Sequence, residues 1–417
     1  MTQPARRRDA IDVARILALF IVILGHLSLA VIDRPDDAVR GTNLLALYPG
    51  WAWVTVGSPM AVFFAAAGWA NARSSLATAT SRLRTMVGLG AVVVATWSAA
   101  VVLTAVITGR PGVIGSGARI ATQPLWFLAA YIPLAAAGRP IARLADRHPL
   151  TSVSGCLVGA GLLDAVSFGW GAPRDVAWLG FLLVWATPWI VGAWWRARWE
   201  SGGFAERRVG ALLLVGFGLT GLALVAFAGY DAALIDAVKG GRSNTTPPTL
   251  YAAVAGLAQV GLLMIVARSL DHVGRRWRAV WDRLGEAAIG MYVWHLTALA
   301  LCAGVIAVGL PAPERVTGWW WLTRPLWYLA VIGVTALLVA ATAAARRALA
   351  RRRPCHRPVT RPRATLGLVV ATVAAALVGL RGPTTVTTAL ACTALFAGAD
   401  ALLRPATVAP DSSTVAG

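Results

Sequence analysis

The chain has 417 residues, 58% of them hydrophobic and 13% charged, with a net charge of +20 and a mean hydropathy of +0.67. So apolar a composition excludes a soluble globular protein and describes a polytopic membrane protein with no room for a sizeable soluble domain. The positive charge does not imply nucleic acid, because the arginines fall in short clusters between apolar runs, and Lys239 is the only lysine.

The apolar segments read, in order, as 16–32, 51–70, 86–108, 124–138, 150–168, 177–195, 209–229, 250–267, 286–309, 325–345, 366–380 and 384–403. Crossing a bilayer takes about 20 residues of helix. The fourth segment and the last two are short, so the sequence predicts ten to twelve spans in an all-α transmembrane bundle. About ten core helices fill 1–345, an Arg-rich cytoplasmic linker 346–365, a further transmembrane hairpin 366–403, and a disordered tail 404–417. The first span reads as uncleaved, with no small-x-small site at its end.

Charge alternates with the spans. Arg6, Arg7 and Arg8 precede the first; Arg73, Arg82 and Arg84 follow the second; Arg139, Arg143 and Arg147 follow the fourth. Arg196, Arg198, Arg207 and Arg208 follow the sixth, a cluster from Arg268 to Arg283 the eighth, and a run from Arg346 to Arg363 the tenth. The intervening loops hold fewer: Arg34 and Arg40, Arg110 and Arg119, Arg174, Lys239 and Arg242, Arg315 and Arg324, Arg381. This alternation predicts a multi-pass protein of the cell membrane with a cytoplasmic N-terminus, and an even span count returns the C-terminus to the same side. The segment Tyr230 to Thr249 then lies outside, with a sequon starting at Asn244. Trp51 and Trp53, Trp194, Trp195 and Trp199, and Trp319 to Trp321 fall at span ends, where an indole anchors at the interface; lining a substrate path is the other reading.

Chemistry concentrates on the first span. Arg15 and His26 are eleven positions apart, which places them within about 20° on one helical face and about 16 Å apart along the axis. Asp12 sits one turn before Arg15 on nearly the same face. An ionisable group inside a membrane invites a functional reading; a topology-setting arginine and a histidine bonded to a neighbouring helix is the structural one. His295, in Gly290-Met291-Tyr292-Val293-Trp294-His295-Leu296, is the second histidine within a span, about 14 Å from the helix end near Glu286. Its depth is similar to that of His26, so the two imidazoles could share a cavity. His148, His272 and His356 fall in cytoplasmic loops. Neutral histidine is a natural general base. Cys156, Cys302, Cys355 and Cys392 show no ligand spacing, and nothing suggests a metal site. Gln259, Asp164 and Asn71 read as helix–helix hydrogen-bond partners. A secondary transporter, with His26 and Arg15 on a proton or anion path, is the competing class, although no inverted repeat is visible. A membrane scaffold that docks through its final hairpin is a third.

Five segments carry a resemblance: Asp12, Arg15 and His26; Phe63-Phe64-Ala65-Ala66-Ala67-Gly68-Trp69; Ser81-Arg82-Leu83-Arg84; Leu125-Trp126-Phe127-Leu128; and Ile289 to His295. In this order and spacing, over roughly residues 8 to 345, the chain resembles the acyltransferase 3 family of integral-membrane acyltransferases. It departs from the family pattern at Ala67, which stands where a serine is usual, and in lacking a proline after Arg84. The resemblance implies transfer of an acyl group, commonly acetyl, from cytoplasmic acyl-CoA to a hydroxyl of a glycan, lipid or secreted small molecule. It implies His26 as general base and Arg15 as a binder of donor phosphate or an orienting charge. Arg82 and Arg84 would help with the donor, and Trp126 and His295 would line the cavity. Direct transfer fits better than an acyl-enzyme, because no serine or cysteine stands out beside His26. Acyl-CoA is a substrate here, and no bound cofactor is implied.

Overall fold

The computed structural model describes residues 8–33, 40–110, 112–169, 174–234, 244–308, 316–350, 356–357 and 359–407. Arg6 and Arg7, Arg34, Lys239 and Arg242, Arg315, Cys355, part of the Arg-rich linker and the tail from 408 on lie outside the described residues.

Among the described residues eleven helical stretches are long and apolar enough to cross a membrane, and the count is twelve if a helix pair bent by 70° is taken as one span. The chain is a predominantly α-helical, multi-pass membrane protein. In order it forms α1 (Asp9–Leu29), β1 (Ala30–Asp33), β2 (Arg40–Asn43), α2 (Leu44–Leu47), a 3-10 helix (Pro49–Gly57) and α3 (Met60–Asn71). Then come α4 (Leu76–Thr108), α5 (Gly112–Thr122), α6 (Trp126–Ala136), α7 (Gly138–Arg147), α8 (Pro149–Gly169), α9 (Phe181–Ser201) and α10 (Glu206–Phe227). The chain ends with α11 (Leu250–Arg276), α12 (Arg278–Val308), α13 (Gly318–Ala350), β3 (His356–Arg357), α14 (Arg361–Leu380), α15 (Val386–Leu403) and β4 (Ala406–Thr407). The two short strand pairs are antiparallel.

The fourth apolar segment is where the helix is broken. A 3-10 turn at Gln123–Leu125 leads into α6, and the helix stops at Ala136, with the single residue Ala137 between it and α7. Gly138 lets the start of α7 pack closely on the end of α3: a Cβ there would lie 2.7 Å from the Asn71 carbonyl oxygen.

The chain forms two compact units. The first comprises Met1–Ser75, Ala137–Ala288 and Ala303–Tyr328. Within it α1 packs on α3 and α11, α3 on α9, and α10 on α11. The crossing of α3 and α9 is backbone to backbone. A Cβ on Gly68 would meet the Trp189 carbonyl oxygen at 2.1 Å, and one on Gly192 would meet that of Ala65 at 1.9 Å. Small residues permit such an approach and gain dispersion contact that lipid cannot supply. This gives Gly68 in the Phe63–Trp69 segment a packing role.

The second unit comprises Leu76–Ala136, Ile289–Cys302 and Leu329–Gly417. Here the final hairpin is packed in: α15 lies along α4, and α14 on α15 and α6. Ser98 Oγ on α4 donates to the Ala389 carbonyl on α15 at 3.1 Å. Gly382, at φ 63°, closes α14, with its N–H bonded to the Val378 carbonyl at 2.9 Å. A capping box of Thr385 and Thr388 then opens α15.

Candidate active site

Helix α1 carries Asp12, Arg15 and His26 without interruption. It starts earlier and stops earlier than the apolar run 16–32 suggests. Asp9 and Asp12 lie in its first turn, where carboxylates complement the exposed N–H groups. At Ala30 the chain turns extended and pairs as β1 with β2. His26 therefore sits in the last turn of the helix, half-buried, instead of mid-span. Arg15 Nη2 lies 3.4 Å from Asp12 Oδ1, and the Arg15 side chain is 40% exposed.

The N-terminal end of α1 is fixed by a cluster that sequence reading assigned only to topology. Arg8 is 5% exposed. Its Nη1 and Nη2 donate to the two carboxylate oxygens of Glu206 at 2.6 and 2.9 Å, and its Nε donates to Asp271 Oδ2 at 3.2 Å. The guanidinium lies over the rings of Trp69, Trp195 and Trp199 at 5.4, 5.1 and 5.4 Å. Trp195 Nε1 also donates to Glu206 at 2.6 Å. The fully buried Trp195 is thus part of a charge cage and not an interface anchor, whereas Trp51, Trp53, Trp319 and Trp321 are exposed as anchors should be. Beside the cage, Arg278 donates to Asp9 at 2.8 Å.

The other end of α1 is covered by α13. Arg324, read from sequence as an outer-loop charge, is a helix residue only 8% exposed. It stacks 3.7 Å from the Trp320 ring centroid and donates to the Ala30 carbonyl at 3.2 Å. Trp327 Nε1 donates to the Leu27 carbonyl at 3.2 Å, and the Ser28 and Tyr328 hydroxyls are 3.1 Å apart. The last carbonyls of a helix have no partner within it, and these side chains supply one. Trp320, Arg324 and Trp327 stand four and three residues apart, one helical face; that spacing was the available signal.

The remaining candidates belong to the second unit, whereas Asp12, Arg15 and His26 belong to the first. His295 is fully buried within α12, and its Nδ1 is 2.6 Å from the Tyr292 carbonyl oxygen. Against a carbonyl, Nδ1 must carry the proton, so in the neutral ring Nε2 holds the lone pair. Tyr292 in turn packs edge-on against Phe127, which follows Trp126 at the start of α6. Trp126 is half-buried, and Gly379 of α14 comes so close that an added Cβ would lie 3.0 Å from the Trp126 Cβ. Near the start of α4, Arg82 is exposed and Arg84 half-buried.

Asp164, Gln259, Asn71 and Asn244 each make hydrogen bonds within the fold. Asp164 accepts from Tyr230 Oη at 2.8 Å and from the Leu250 N–H at 2.7 Å. Gln259 donates to the Val56 and Ser58 carbonyls at 2.6 and 3.0 Å. Asn71 bonds back to the Ala67 carbonyl of its own helix at 2.9 Å. Asn244 is 1% exposed and donates twice to backbone carbonyls at 2.7 Å, so the asparagine of the sequon is buried. Among the described residues no group of three or more His, Cys, Asp or Glu side chains is placed to hold a metal.

A family model described as an acyltransferase domain, that of the acyltransferase 3 family, matches residues 8–345. No curated protein and no solved structure matches the chain. The family match covers most of the sequence, and the chain belongs to this family of acyltransferases.

Proposed function

We propose, with membership of that acyltransferase family as the premise, that the protein moves an acyl group, acetyl in the simplest case, from cytoplasmic acyl-CoA to a hydroxyl of a glycan, lipid or secreted small molecule. The observation that carries the reading is α1 itself: one unbroken helix, inside the matched residues, with a half-exposed guanidinium near one end and an imidazole in its last turn. Acyl-CoA bears several phosphate charges and cannot cross a bilayer, so donor and acceptor approach from opposite sides. A helix with a cation towards one side and a base towards the other suits that division.

In this reading His26 accepts the proton of the acceptor hydroxyl as its oxygen attacks the thioester carbonyl carbon. The carbon–sulfur bond then breaks, the acyl group stays on the acceptor oxygen, and CoA leaves as thiolate and takes up the proton. Arg15 holds a donor phosphate or orients the donor, with forked N–H groups that suit phosphate. Arg82 and Arg84 help to hold the donor, and Trp126 and His295 line the path. In this reading the N-terminus is cytoplasmic, and the alternating arginine clusters support that orientation.

The test is turnover by the purified full chain in lipid nanodiscs, with acetyl-CoA and a panel of hydroxyl acceptors. Release of free CoA matched by acylated acceptor is the expected result. Movement of an acceptor across proteoliposomes with no CoA released would instead identify a transporter and overturn the reading.

A further inference from the structure

A cleft of about 530 Å³ opens in the first unit beside α7, α9 and the turn after α3. Its volume is in the range of small-ligand sites. Four guanidiniums line it, those of Arg73, Arg139, Arg143 and Arg196, with the carboxylates of Asp146 and Glu200. Both carboxylates are already engaged. Glu200 accepts from Arg73 through one oxygen and from Arg196 Nε through the other, the latter at 2.9 Å. Asp146 accepts from Arg198 Nη2 at 2.9 Å. Arg196 is tied further, to the Trp69 carbonyl at 3.0 Å, and Arg139 Nε donates to the Arg73 carbonyl at 3.2 Å. The two acids therefore hold arginines in place and leave the cleft with a surplus of cationic donors.

Helix α7 shapes the opening. Ile141, Ala142 and Ala145 bury its apolar side against Ile190 and Ala193 of α9. Arg139 and Arg143, one turn apart, are exposed. A short amphipathic helix with arginines on its polar side suits the headgroup layer of a membrane. Convergent guanidiniums are also the chemistry that recognises phosphate, through paired charge-assisted hydrogen bonds.

We propose that this cleft is a phosphate site that takes a phosphomonoester or diphosphate group on Arg139 and Arg143, with Arg73 and Arg196 held in its lining by Glu200. Two sources carry that chemistry: the nucleotide end of acyl-CoA and the headgroup of an anionic lipid. The nucleotide source rests on the acyl-transfer reading; phosphate binding by the cleft does not.

The experiment uses the full chain in nanodiscs, as wild type, as the double variant Arg139→Gln/Arg143→Gln, and as Arg147→Gln, an exposed arginine on α7 that does not line the cleft. In phosphatidylcholine discs, calorimetry measures binding of adenosine 3′,5′-bisphosphate. In discs that also hold phosphatidylglycerol, mass spectrometry of the released complex measures retained lipid. Binding of the bisphosphate that weakens at least about tenfold in the double variant and not in Arg147→Gln assigns the site to the donor. Absent bisphosphate binding, with phosphatidylglycerol retained by wild type and lost from the double variant, assigns it to lipid. Equal binding of both probes by wild type and double variant, or equal losses in Arg147→Gln, overturns the proposal. His26→Gln protein is run alongside: if it binds the bisphosphate as wild type does, the phosphate site stands even where the assignment of the base fails.

Discussion

Arg8, the residue that precedes α1, and Arg15 within it stand about 10 Å apart along the axis and are held in opposite ways. Arg8 is buried, forks onto both oxygens of Glu206, reaches Asp271 and is covered by three indoles. Arg15 is half-exposed and has one long contact, 3.4 Å, to a carboxylate one turn away. A cation enclosed by carboxylates and rings contributes to the fold and has little left to offer a ligand. A cation left half in the open is available to one. The comparison divides α1 into an anchoring end and a working length, and it predicts that damage to each should be separable from damage to the other.

The sharpest break is at His26. His26→Gln keeps size and hydrogen-bonding capacity but removes the base, so acyl transfer should fall about 10²- to 10⁴-fold while thermal unfolding and membrane insertion stay as in wild type. Purified variant and wild type are compared for CoA release. If transfer survives in His26→Gln and is lost in His295→Gln, the base is on α12 and the working length of α1 has been misassigned.

The anchoring end makes the converse prediction. Arg8→Ala leaves Glu206 and Asp271 without their cation, and breaking a buried pair in this way costs about 3–5 kcal/mol. The melting temperature in detergent should drop by several degrees, while the protein that remains folded turns over at nearly the wild-type rate. A variant that melts normally but has lost turnover would move Arg8 into the chemistry and erase the distinction between the two ends.

What was legible in the sequence follows the same division. The shared face of Asp12, Arg15 and His26 depends only on helical period, and local spacing carries it in full. The apolar runs located the spans, and the fourth stood out as short because the helix there is broken at Ala137. The depth of His26 was not legible. The helix ends at Ala30, where Arg324 and Trp327, 294 and 300 positions away from their partners, bond the carbonyls of Ala30 and Leu27. Arg324 was counted as a loop charge for the same reason, since its partners include the Ala30 carbonyl of α1. Charges whose partners are distant in sequence look like topology signals until the fold brings the partners in.

Arg15 itself should give an intermediate effect. Loss of a charge-assisted hydrogen bond to phosphate is worth about 1.5–3 kcal/mol, so Arg15→Ala should weaken donor use about ten- to hundredfold. Arg15→Lys should recover part of that, because an ammonium keeps the charge but not the fork. Both should melt as wild type does, in contrast to Arg8→Ala. The measurement is kcat/KM for acetyl-CoA beside a melting curve for each variant, and an Arg15→Ala protein with unchanged donor kinetics would remove Arg15 from the donor site.

The smallest effect is expected at Asp12, and it tests how Arg15 is held. A pair between partly exposed residues one turn apart on a helix contributes about 0.2–0.5 kcal/mol, and at 3.4 Å this one is long. Asp12→Asn should therefore leave the melting temperature within error and change the KM for acetyl-CoA by less than about threefold. The carboxylate would then be a loose tether that lets the guanidinium swing to the donor. A loss as large as that of Arg15→Ala would mean the opposite: Asp12 and Arg15 act as one unit, and the arginine that looks open is as tightly positioned as the one in the cage.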